Sequence, residues 1–455
     1  LERHTNNNNN NNCVGRNVEY KVALGAAAAS FKLEKAVCSH GFFMTAPNQW
    51  NPFSKTFQRP LRLFQYDTLS SSSVTVQISQ PPQADHLLVR VVDSVDLSTV
   101  HHQSLMEQVR RMLRLSEAEE TNVRAFQDMY AEAKASGFGR VFRSPTLFED
   151  MLQIDEFTNA LNYFLSYLRI GVDYDEIMTR WSRTLSMARA LCELQLELQC
   201  PASITKFAPK TPAGKESTKR KIKSQEKSRN VVKRCCEDVK SASEEDGTLK
   251  IDSFDTSINI HDSNGEKTEL AFHGAMGNFP SPEELAGLDL NYLGKRCNLG
   301  YRASRILGLA QSVVEGRINL KKLEEDCGRD ASLSNYMKIN ERLGEINGFG
   351  PFTRANVLMC LGFYHVIPSD SETLRHLNQV HGKKSTIKNI QQDIEVIYGK
   401  YAPYQFLVYW SEIWSFYEER FGNLSELPNT QYKRITAANM RCKNDKALKR
   451  FKEEQ

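Results

Sequence analysis

The sequence predicts an α+β fold, with a small N-terminal antiparallel β-sheet domain followed by a mainly helical domain that a disordered insertion interrupts. Three observations carry this. The run Val74-Thr75-Val76-Gln77-Ile78 alternates with period two and is β-branched, as a half-buried strand requires. Leu105, Met106, Val109, Met112 and Leu113 fall at helical spacing, and an apolar helical run recurs from Tyr404 to Phe421. Residues 203 to 265, by contrast, are poor in apolar side chains and rich in Lys, Ser, Glu and Asp, so they cannot bury a core of their own.

Taken in order, residues 1 to 30 are expected to be a disordered low-complexity N-terminus, Asn-rich over 5 to 12 and Ala-rich over 25 to 29. Residues 31 to 115 form the β-rich domain, with apolar runs at Ala36 to Met44, Leu61 to Tyr66, the strand at 74 to 78, and Leu87 to Val92. Residues 116 to 200 open the helical domain. Ser116 with Glu119 makes a capping box for a helix to about Ala135, and Ser144-Pro145 reads as an N-cap serine before a first-turn proline. The stretch 152 to 180 is atypical, residues 201 to 270 are a charged linker, 271 to 430 complete the helical domain, and 431 to 455 form a basic tail. Lys219-Arg220-Lys221-Ile222-Lys223 with Lys233-Arg234 reads as a nuclear address, a phosphate-contacting arm, or simply a solvated linker.

Composition narrows the function classes. A chain of 455 residues, 40% apolar and 25% charged, is ordinary for a globular protein of two or three domains, and no apolar run reaches membrane-span length. A net charge of +4 neither requires nor excludes nucleic acid. Ten irregularly spaced cysteines read as reduced thiols of a cytosolic or nuclear protein, and no His or Cys spacing suggests a metal. Sequence alone therefore predicts no metal ligands.

The most informative stretch runs from Leu343 to Asp370. Gly348-Phe349-Gly350 sits between two helical runs, where glycines permit close backbone approach and a helix N-terminus offers N–H donors to phosphate. A tight turn explains the same pattern. Downstream, Pro368-Ser369-Asp370 places a carboxylate at a helix start, and Ser369 with Glu372 forms a capping-box pattern. Asp370 is thus either a reactive carboxylate, a helix-terminal acid, or both.

Hairpin and aspartate together resemble the helix-hairpin-helix (HhH-GPD) DNA glycosylase superfamily, in which a Gly-hydrophobic-Gly hairpin precedes a catalytic aspartate by about 20 residues. Phe279 to Ala286 and Leu299 to Ile306 resemble the segments before the hairpin in the 3-methyladenine glycosylase II and 8-oxoguanine glycosylase-like branch, so the likeness covers roughly residues 275 to 420. The resemblance implies Asp370 as catalytic residue and Gly348, Phe349, Gly350, Phe352, Thr353 and Arg354 as the DNA-binding hairpin, with Arg354 either a phosphate contact or a surface charge. It implies double-stranded DNA with a damaged base as partner, a monomer, and nuclear localisation. Relatives that nick the strand carry a lysine two residues after the second hairpin glycine; here that residue is Phe352, and no lysine lies between Lys338 and Lys383. The resemblance is therefore to monofunctional enzymes that hydrolyse the glycosidic bond, most readily of alkylated purines. A hairpin that binds DNA without catalysis, or an oxidised-base glycosylase/lyase using another lysine, are the other readings. No cofactor is implied beyond a monovalent cation on hairpin carbonyls, and with only Cys442 beyond Asp370 there is no iron–sulfur cluster. Phe142, Tyr301, Trp410 and Trp414 are candidates to line a base pocket, or else core.

Overall fold

Period-two alternation builds a five-stranded sheet. Strands β1 (Val18–Ala23), β2 (Gln49–Asn51), β3 (Thr56–Arg62), β4 (Ser73–Ser79) and β5 (His86–Val91) pair antiparallel in the order β1-β5-β4-β3-β2. Val74, Val76 and Ile78 are all buried, and the register sets Val76 opposite Val91 and Ile78 opposite Val89, so apolar side chains meet across the strands. The structure, a computed structural model, describes residues 18–63, 72–92, 97–154, 174–199 and 276–435. The charged linker, the low-complexity start before Val18, most of the atypical stretch 152 to 180 and the tail beyond Ile435 lie outside the described residues.

Helices follow the sheet: α1 (Leu33–Val37) lies within it, then α2 (Thr99–Leu113), α3 (Glu117–Met129), α4 (Ala131–Ser136), α5 entered at 147, and α6 (Tyr174–Gln199). After the linker come α7 (Pro282–Ala286), α8 (Leu290–Arg296), α9 (Arg302–Val314), α10 (Leu320–Arg329), α11 (Leu333–Gly344), α12 (Pro351–Cys360), α13 (Ser371–Gln379), α14 (Ile390–Tyr398) and α15 (Gln405–Phe421). The α+β class and its order are as expected.

Local expectations fare unevenly. Residues 18 to 23, expected to be disordered, form edge strand β1; only Val22 of it is buried, so its pairing with β5 leaves almost no apolar signature. The apolar run Ala36 to Met44 is helical rather than extended, divided between α1 and a 3-10 turn at Gly41–Met44. Ser116 does cap α3 through Glu119 N–H, but the Glu119 carboxylate turns to Arg114 instead of closing the box, and α3 stops at Met129. Nor does Ser144 cap a helix. Its hydroxyl is buried without a partner, its N–H donates to Asp150, and α5 begins later, with Thr146 accepting from Glu149 N–H.

Buried charges tie sheet to helices. Arg59 of β3 reaches Glu149 of α5 at 3.0 Å, both side chains almost inaccessible, and Arg62 meets Glu284 of α7 at 2.5 Å and the Phe279 carbonyl at 2.9 Å. Removing one partner of a pair like Arg59–Glu149 strands a charge, at a cost of about 3–5 kcal/mol. Helix α12 lies between two apolar clusters. Val357, Leu358 and Cys360 pack into the cluster shared with the sheet, whereas Ala355 and Met359 pack with Ile367, Leu377, Ile394, Val408 and Tyr409 of the C-terminal helices. The element that opens at the hairpin is held on both sides.

Candidate active site

The hairpin is a tight turn between α11 and α12. Phe349 N–H donates to the Ile346 carbonyl (3.1 Å) and Gly350 N–H to that of Gly348 (3.0 Å). Gly348 has φ +92°, a left-handed conformation that disfavours any side chain, and a Cβ there would meet Arg305 Cδ at 3.0 Å. Gly350 is the N-cap of α12, with no side-chain cap and nothing within 4 Å of where its Cβ would be. The backbone at the start of α12 is therefore approachable, as anion binding at a helix N-terminus requires. The Ile346, Gly348 and Gly350 carbonyls each accept a backbone hydrogen bond.

Three expected DNA-binding side chains point elsewhere. Phe349 and Thr353 are buried, so neither presents its side chain to a duplex. Arg354 folds back over Gly344, donating from Nη1 to the Asn340 carbonyl (3.2 Å), with Nε buried and unpartnered. This bond ties α12 to α11. Phe352 is half-buried. The basic side chain beside the hairpin is instead Arg305 of α9, whose guanidinium, like that of Arg302, lies over the ring of Tyr301 at about 5 Å. Tyr301 is 45% exposed, and Arg305 also lines a cavity of about 460 Å³ together with Arg317, Arg342, Asn347, Leu309 and Ile346.

Asp370 occupies a different environment. It is itself the N-cap of α13, taking the place expected for Ser369: Oδ1 accepts from Thr373 N–H at 2.8 Å. Its second oxygen, Oδ2, is buried with no hydrogen-bond partner. Thr373 secures the turn, donating to the Pro368 carbonyl (2.7 Å) and meeting the Tyr409 hydroxyl of α15 (2.8 Å). Burial pushes the Asp370 carboxyl up to about 7, against the lowering effect of its bond from Thr373 and with a further push from Glu372. Glu372 spends its own charge on Arg375, which lies over the Phe416 ring at 4.9 Å. The result is a carboxylate with one oxygen fixed and one free, poised near neutrality.

The aromatic candidates separate as well. Phe142 is buried edge-on against Phe57, and Trp410, donating to the Ser39 carbonyl, stacks between His40 and Trp414. These are core. Only Tyr301 among the four is exposed. One constellation was invisible in the sequence: His376, His381 and Glu412, 31 to 36 positions apart at the extremes, bring their ligating atoms within 4.8 Å of one another, where spacing had suggested no metal ligands.

No family model matches the chain. No curated protein matches it either. Among solved structures it is similar to MBOgg1 in complex with a low-affinity DNA ligand, at 15% identity over 91% of this chain and 99% of that one, with a TM-score of 0.46. It is also similar to the 8-oxoguanine glycosylase/lyase of Clostridium acetobutylicum, in its apo form (12% identity, 87% and 96% covered, TM-score 0.46) and in complex with DNA containing cytosine opposite 8-oxoguanine (11% identity, 87% and 95% covered, TM-score 0.44).

Proposed function

We propose that this protein is a DNA N-glycosylase that flips a damaged base from duplex DNA and hydrolyses its glycosidic bond with Asp370 as the catalytic carboxylate. The single observation that carries the reading is the state of Asp370: buried, fixed through one oxygen by the first turn of α13, with the other oxygen unpartnered. A purely structural N-cap has no need of a buried free oxygen. As the base departs, the sugar gains oxocarbenium character, and a nearby carboxylate stabilises that charge and orients the attacking water. The N-glycosidic bond breaks with its electron pair going to the departing base, which neutralises a cationic alkylated purine; water oxygen bonds to C1′, and the proton that water loses passes to the Asp370 carboxylate and on to solvent.

The hairpin supports the same reading through its uncapped N-terminus at Gly350 and the Arg305–Tyr301 pair beside Gly348, which suit phosphate and exposed nucleotide faces. Phe352 supports hydrolysis over amine attack, since no lysine stands in the first turn of α12. Alkylated purines are the substrate class this favours. The test is a panel of duplexes carrying alkylated, oxidised and deaminated bases, scored for alkali-labile sites and, with borohydride, for covalent trapping. Abasic product from an alkylated purine without trapping is the expected result. Trapping on 8-oxoguanine duplex would replace hydrolysis with a lyase using another amine, and binding without product on every lesion would leave only a DNA-binding hairpin.

A further inference from the structure

Outside the site just described, α13, α14 and α15 meet around one carboxylate oxygen. Glu412 Oε2 of α15 lies 2.9 Å from His376 Nε2, 2.9 Å from His381 Nε2 and 2.6 Å from the Tyr398 hydroxyl. The same hydroxyl lies 3.1 Å from His376 Nε2 and 2.9 Å from His381 Nε2. The chain is shaped to make this happen. Past the end of α13, His381 N–H and Lys383 N–H both donate to the Leu377 carbonyl, and Gly382 takes φ +64°, so His381 folds back beside His376.

We propose that His376, His381 and Glu412 form a binding site for a zinc-class divalent cation that fastens the helix capped by Asp370 to α15. Two imidazoles and a carboxylate are the donor set of borderline cations, and a tetrahedral zinc with Zn–N near 2.0–2.1 Å sets its ligand atoms about 3.4 Å apart, so Glu412 Oε2 need separate from each imidazole by only about half an ångström. Both rings turn the same nitrogen toward the centre. With Nε2 on a cation, the single ring proton of neutral His376 sits on Nδ1, which is buried. His376 is fully buried, whereas His381 and Glu412 keep about a fifth of their side chains accessible, which provides a way in. Tyr398 orients the carboxylate from outside the ligand set, as supporting hydrogen bonds do in metal sites. A fourth position is left to water.

The proposal does not depend on glycosylase activity, and its test does not use it. The full chain, stripped with chelator and dialysed, is titrated with Zn²⁺ and separately with Co²⁺, with bound metal counted and visible absorption recorded. Wild type and a His86→Gln control, altered at a histidine in β5, should bind one more equivalent than His381→Ala and Glu412→Gln, and only the first pair should develop the strong cobalt bands of a four-coordinate site. His381→Gln, which retains a polar side chain, guards against loss by misfolding: Zn²⁺ should raise the unfolding temperature of wild type and leave that variant unmoved. Equal uptake in wild type and all three site variants, or no uptake by wild type, would overturn the proposal.

Discussion

The hairpin and the Asp370 turn lie within 30 residues of each other and flank the same helix, yet they present opposite surfaces. At the hairpin the useful groups are backbone. Gly350 faces open space, while the side chains expected to touch DNA, Phe349 and Thr353, are buried and Arg354 is spent on Asn340. At the aspartate the useful group is one side chain, buried, half-satisfied and shifted toward neutral pH. Gripping a polyanion requires accessible donors and little burial; acting on a bond requires a carboxylate taken out of water. A single rigid helix, α12, fixed between two apolar clusters, separates the two requirements.

That contrast breaks most sharply at the carboxylate. Asp370→Asn should lower base release by about 10²–10⁴-fold while duplex affinity stays within twofold, because Asn still caps α13; single-turnover release and a binding titration read the two quantities. In wild type, release should fall as pH drops below about 7, where Asp370 becomes protonated, and level off above it.

Stability should move the opposite way. The folded-state value of Asp370 lies above its ordinary 3.8, so its contribution to stability is fully present below about 3.8 and is lost as pH rises through about 7. Asp370→Asn lacks this loss, and thermal unfolding should find it more stable than wild type above pH 7, by up to a few kcal/mol, with the gap closing toward pH 4. A gap that widens toward acid pH would contradict the buried-carboxylate account.

Smaller effects probe the hairpin. Gly348→Ala forces a side chain into φ +92° against Arg305 and should cost about 1–2 kcal/mol in urea unfolding, with duplex binding weakened and base release per bound complex unchanged. Arg354→Ala should cost about 1 kcal/mol through the lost Asn340 bond and leave the slope of affinity against salt unaltered, since no phosphate contact is removed. A slope reduced by about one unit would return Arg354 to the DNA interface.

The sequence made visible what local chemistry decides. The strand at 74 to 78, the Ser116 cap and the Gly-Phe-Gly turn all depend on neighbours within a few residues. Hidden were features that depend on distant partners. Edge strand β1 is made by pairing with β5, and its composition carries little of that. Arg354 reads as a free cation until α11 is folded beside it. The convergence of His376 and His381 on Glu412 needs three helices in place, and no spacing encodes it. Even Asp370, located correctly as a helix-start acid, was assigned one position too far into the helix, because a Ser-x-x-Glu pattern cannot reveal that Glu372 is already taken by Arg375.

The central claim is that Asp370 does the chemistry and the hairpin does the holding. Its most direct test incubates wild type and Asp370→Asn at pH 8 with a duplex carrying an alkylated purine, and measures bound DNA and released base in the same samples. The account predicts equal binding with release only from wild type. Release by Asp370→Asn at the wild-type rate would contradict it.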